Sequence, residues 1–132
     1  KLVNDGARWH VRAWCEKNQD FRDFVLSRIQ EIHGTEGPAE KTASEDEGWN
    51  HRLTITIEPD MRLTEAQQKL VALDYGMELA SAGKYQRSYQ VRQALLIYTL
   101  QNLRLDRPRE RGEAQQIMLT PECQRELASY VR

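Results

Sequence analysis

The sequence predicts an α+β protein: part of a small β-barrel, then a small α+β sandwich domain. Three observations carry this. Residues 8–29 alternate at period two around a polar turn, as paired strands do. From Trp49 onward, an alternating apolar run and two N-capped helical segments give the order strand, helix, strand, helix, strand, helix, which suits helices layered on a small sheet. Between them, residues 34–48 (GTEGPAEKTASEDEG) carry five acids, one lysine and no aromatic, the composition of a solvated linker or long loop. The expected division is residues 1–33, linker 34–48 and domain 49–132.

In the first segment Asn4-Asp5-Gly6 is suited to a hairpin turn. On the strand that follows, Arg8, His10, Arg12 and Trp14 share one face, while Trp9, Val11, Ala13 and Cys15 share the other. Glu16 to Asp20 forms the next loop. Phe21 to Leu26, aromatic and branched, forms the next strand, with Arg22, Phe24, Leu26 and Arg28 on one face. Arginines beside core apolars sit at a rim, pair with acids, or bind an anion. Thirty-three residues are too few to bury a core, so this segment reads as a fragment of a barrel.

In the second segment Leu53, Ile55 and Ile57 alternate onto a buried face. Thr64 and Gln67 form a capping box opening a helix, with Ala66, Leu70 and Leu73 or Val71 expected on its apolar side. Gly76 is a natural helix exit. A short strand is expected at Met77–Leu79 or at Lys84–Ser88. Residues 91–103 show apolar positions at helical spacing over a broad stripe, wide enough to suggest packing on a second subunit. Residues 106–113 (DRPRERGE) are a charged loop, Ile117–Leu119 a strand, and Thr120-Pro121 an N-cap with proline at the first helical position, for a helix running to about Tyr130.

Composition narrows function by exclusion. A net charge of −1 gives no overall attraction to nucleic acid. No apolar run approaches the roughly 18–20 residues needed to cross a bilayer. No signal-peptide pattern occurs either, so no membrane partner and a cytoplasmic location are expected. Cys15 and Cys123 form no CxxC, and His10, His33 and His51 have no partner at metal-ligand spacing, so neither a metal nor a cofactor is indicated. No Gly-rich phosphate loop or Gly-x-Ser-x-Gly is present. Enzymatic function has no support in the residues. A ligand-sensing part of a regulator and a structural or protein-interaction module both do.

Trp9-His10-Val11 followed by Arg22-x-Phe24-x-x-x-Arg28-Ile29 resembles the second half of a WYL domain, the ligand-sensing module of many bacterial transcriptional regulators. His10 stands in place of the tyrosine of the namesake Trp-Tyr-Leu. Trp49, LTITIEP, the DYGM at 74–77 and VRQALLIYTLQNLRL resemble the C-terminal extension, often called WCX, of WYL regulators encoded in phage-defence islands. The resemblance implies a partial SH3-like or Sm-like β-barrel for the first segment, and a homodimeric repressor-type regulator with an anion pocket. Arg22 and Arg28 match its two characteristic arginines, His10 and Arg12 are candidate donors, and Trp14 is a candidate base-stacking ring. The effector implied is a nucleotide or single-stranded nucleic acid. Operator DNA would be contacted only through an N-terminal winged helix-turn-helix that these residues do not include.

Overall fold

A computed structural model describes residues 1–107 and 115–131. The first unit is a three-stranded antiparallel sheet in the order β1-β2-β3, from β1 (Leu2–Asn4), β2 (Trp9–Cys15) and β3 (Asp20–Val25). It is an open sheet, with no closed barrel among the described residues. The expected Asn-Asp-Gly turn joins β1 to β2: Asn4 Oδ1 accepts from the Gly6 N–H, and Asp5 Oδ1 accepts from the N–H groups of Ala7 and Arg8. Register sets Arg12 opposite Asp23 and Ala13 opposite Arg22.

Residues 29–42 carry no regular element and are exposed. The stretch then turns inward. Asp46 is buried and caps α1 (Glu47–Asn50) by accepting from the Trp49 N–H, so the end of the expected solvated linker is an anchor.

The second unit is a four-stranded antiparallel sheet in the order β5-β6-β4-β7, covered by helices. In β4 (Arg52–Pro59), Leu53, Ile55 and Ile57 face the core as expected, meeting Leu96 and Leu100 of α3 (Leu96–Asn102) and Leu127 of α4 (Pro121–Leu127). The Thr64–Gln67 capping box opens α2 (Glu65–Asp74), and Thr120 caps α4 with Pro121 at its first turn. The alternative left open around Gly83 resolves as both strands: β5 (Glu78–Leu79) pairs with β6 (Tyr85–Arg92), and β7 is Ile117–Leu119.

Three expectations require correction. The helix expected over 91–103 begins only at Leu96, because Tyr89 and Val91 alternate inward opposite Ile55 and Leu53 and extend β6. The final α-helix ends at Leu127 instead of about Tyr130. On α2 the buried residues are Val71 and Ala72, while Leu70 and Leu73 are 62% and 78% exposed, so its leucine face is turned from the core. Of the charged loop 106–113, only Asp106 and Arg107 belong to the described residues; Arg109 and Arg111 lie outside them.

Candidate functional site

Side chains of β2 and β3 alternate, so the residues expected to form one pocket are divided between two faces of the sheet. Arg22 and Phe24 are exposed on the outer face, and Arg28 is exposed in the turn Leu26–Arg28. His10, Arg12 and Trp14 lie on the inner face, toward the second unit. Arg22 thus lies on the opposite face of the sheet from His10, Arg12 and Trp14. A strand cannot present both parities to one ligand.

The inner face is the better built of the two. His10 is fully buried, its Nδ1 3.3 Å from Asp5 Oδ2 and its Nε2 3.4 Å from Asp23 Oδ1, the latter outside hydrogen-bonding alignment. Its ring stacks on Tyr98 of α3 at 5.4 Å. The Tyr98 hydroxyl donates to Asp23 Oδ2 at 2.8 Å. Burial, reinforced by that carboxylate, pushes the Tyr98 phenol up to about 12, so it stays protonated as a donor.

Arg12 bridges two carboxylates. Its Nε and Nη2 donate to Asp46 at 2.8 and 2.9 Å, a bidentate geometry, and its Nη1 donates to Asp23 at 3.3 Å. The Asp46 pairing keeps the guanidinium protonated against burial, and its pKa is raised. Gly48 makes room for it, since a β-carbon there would fall 2.9 Å from Arg12 Nη2. One turn beyond Tyr98, Asn102 Nδ2 donates to the Asp5 carbonyl at 2.8 Å. Gly6 takes a left-handed φ of +96° directly against that amide, where any side chain would collide.

Trp14 packs edge-on against Phe21 and donates from Nε1 to Glu40 at 3.2 Å. It borders an open cleft also lined by Arg12, Lys41, Glu45, Asp46 and Gly48. The outer face is looser. Arg22 reaches Asp20 only at 3.9 Å, with both side chains more than half exposed, and Arg28 makes no hydrogen bond or ion pair among the described residues. Leu2, Trp9 and Phe24 are exposed on this same outer face. No group of His, Cys, Asp and Glu suited to a metal occurs among the described residues, and no described helix is long and apolar enough to cross a membrane.

The sequence reading missed Asp5, Asp46, Tyr98 and Asn102. Asp46 carries a usable local signal, an N-cap residue ahead of Glu47-Gly48-Trp49. Tyr98 and Asn102 carry none, because each reads as part of an ordinary amphipathic helix.

Comparison with known proteins places both units. Residues 1–33 match the WYL domain, and residues 52–127 match the C-terminal dimerization domain of the BrxR transcriptional regulator. Among curated relatives, the chain is 40% identical over 120 residues to the DNA-binding transcriptional repressor CapW of Pseudomonas aeruginosa, covering 89% of this chain and 38% of that protein. It is 41% identical over 104 residues to CapW of Escherichia coli strain KTE188, covering 79% of this chain and 33% of that protein. It is 37% identical over 102 residues to CapW of Stenotrophomonas maltophilia, covering 77% of this chain and 32% of that protein. The chain thus spans about a third of the length of the curated relatives it matches. With more than half of its residues in the dimerization-domain match, and a WYL segment ahead of it, the chain belongs to the BrxR family of WYL-domain transcriptional regulators.

Proposed function

We propose that the chain is the effector-sensing and dimerising region of a bacterial transcriptional repressor, with an anionic ligand held by Arg22 and Arg28. The observation that carries the ligand assignment is the state of these two guanidiniums. Both are exposed in the WYL segment, and neither has a close carboxylate partner among the described residues, whereas Arg12 is fully engaged by Asp46 and Asp23. A planar donor fork takes phosphate bidentately and stacks on a base. A nucleotide or single-stranded nucleic acid fits that chemistry, with the exposed Trp9 and Phe24 available for stacking. Operator binding in this reading belongs to a winged helix-turn-helix outside these residues, and effector occupancy shifts the regulator between bound and released states.

In the native full-length protein, Arg22→Ala and Arg28→Ala are each expected to weaken binding of a fluorescein-labelled oligothymidylate by about 1.5–3 kcal/mol, the scale of hydrogen bonds to charged groups. Anisotropy titration reads this directly. Unchanged binding in both variants removes the assignment, and leaves a protein-interaction module. Nucleic acid carried through purification, visible as a 260 nm excess on denaturation, supports it.

The dimer reading rests on the dimerization-domain match. The helix expected to form the interface, α3, is enclosed on both sides, with Leu96 and Leu100 in the core and Tyr98 on the first sheet. Exposed apolar side chains in this domain include Leu70 and Leu73 on α2, Leu79 on β5 and Ile97 on α3 itself. Light scattering on this chain at micromolar concentration is expected to give twice its 15.4 kDa mass; a constant 15.4 kDa particle contradicts the dimer.

A further inference from the structure

The two faces of β3 lead to different parts of the molecule. Arg22 and Phe24 point outward, while Asp23, between them on the same backbone, points inward and ends at α3. Asp23 is tied there by the Tyr98 hydroxyl at 2.8 Å and by Arg12 at 3.3 Å, with His10 3.4 Å away. A second tie one turn along α3 joins Asn102 to the Asp5 carbonyl, and Gly6 seats against the same amide.

The opposite face of α3 carries Leu96 and Leu100, both buried in the core of the dimerization domain. This helix is thus a shared wall, hydrogen-bonded to one unit and packed into the other. Directed, partly buried hydrogen bonds transmit displacement differently from apolar contacts. A charge-assisted bond weakens steeply with misalignment, and a close-packed apolar core transmits strain because its side chains have no room to give.

We propose that Asp23 is a positioning residue that couples occupancy of the outer face of β3 to α3 through the Tyr98 hydroxyl. Movement of β3 when a ligand engages Arg22 is passed to α3, and from α3 to the dimerization core. This coupling rests on the effector assignment above. It also specifies how the sensor reaches the dimer.

The test is amide hydrogen exchange across α3 in the native full-length protein, with and without saturating oligothymidylate. In the wild type, exchange in α3 is expected to change by about fivefold or more on binding, the lower end of typical coupling between sites. Tyr98→Phe removes only the hydroxyl and keeps the ring stacked on His10. It is expected to abolish the α3 response while keeping oligothymidylate affinity within about threefold. Asp23→Ala, which removes the acceptor of the Tyr98 hydroxyl, is the second variant, with the same expected loss.

A purely structural role for Tyr98 predicts faster α3 exchange in the variant with the ligand response intact, and that outcome overturns the coupling. Oligothymidylate that binds the wild type without changing α3 also overturns it, and leaves the effector assignment standing. Failure of the wild type to bind oligothymidylate removes the assignment, and the coupling with it.

Discussion

Arg12→Ala is expected to lower the stability of the chain by about 3 kcal/mol, within the range for removing one partner of a buried ion pair. The side chains of Arg12 and Asp46 are 12% and 4% exposed, and the guanidinium supplies two of the donors that satisfy the Asp46 carboxylate. Deleting it leaves Asp46 with the Trp49 N–H as its remaining hydrogen bond, and takes a donor from Asp23. Arg12→Lys is expected to recover only part of the loss, since a point charge cannot reproduce the planar fork.

The same pair makes a pH prediction. Burial alone would raise the Asp46 carboxyl, but the guanidinium outweighs it and holds the group below the usual range. A carboxyl lowered in the folded state adds stability that is present above its unfolded pKa, about 3.9, and is lost as pH falls through the folded value. Asp5, lowered chiefly by the Arg8 N–H, and Asp60, lowered chiefly by the Arg62 guanidinium, act with the same sign. The wild type therefore loses stability below about pH 4, and the Arg12→Ala penalty shrinks there because its partner is being neutralised. Urea unfolding at neutral pH and at about pH 3 measures both effects. A penalty that is the same at both would show that Arg12 stabilises by packing instead of by charge.

Ile55→Ala is expected to cost about 3–4 kcal/mol, the transfer free energy of the lost methyl groups plus the cavity left among close-packed neighbours. Ile55 has no exposed surface, sits mid-strand in β4 opposite Tyr89, and belongs to the cluster formed with Leu96 and Leu100. Leu73→Ala is the matched contrast. Its side chain is 78% exposed, and its removal is expected to change the stability of the isolated subunit by less than about 0.5 kcal/mol. Denaturant midpoints at unchanged slope decide the comparison. Equal costs would mean that α2 buries the face its leucines mark, contrary to the structure.

The contrast between Ile55 and Leu73 shows how far the chain could be read. In β4 the alternation of Leu53, Ile55 and Ile57 identified the buried parity, because one apolar parity of a half-covered strand has a single place to go. In α2 the same reasoning placed Ala66 and Leu70 on the apolar side and left Leu73 or Val71 open beside them. Leu70 and Leu73 are spaced for one helical face and Val71 lies one position round from Leu70, so nothing local says which side is covered. The sheet decided: α2 packs on β4 and β6, and Val71 and Ala72 join the core cluster. The stripe at 91–103 failed for a related reason. Val91 fits a helical period and a strand period equally, and pairing opposite Leu53 resolved it as strand.

What the sequence determined by itself was local: the Asn4-Asp5-Gly6 turn, the parity of β2 and β3, the Thr64–Gln67 capping box, the Thr120-Pro121 cap, and the family pattern of Arg22, Phe24 and Arg28. Each depends on backbone geometry within a few residues, and the order of residues encodes that geometry directly. Only the tertiary structure decided which face of the first sheet is covered. Alternation divided Trp9 and Val11 from His10 and Arg12 without saying which face is covered, and His10, Arg12 and Asp23 are the residues enclosed. They are enclosed because α3 and the segment at Asp46 bring a phenol and a carboxylate to meet them. A polar face can be buried when its partners arrive from 34 or 75 residues away, and no periodicity in a strand records what will dock against it.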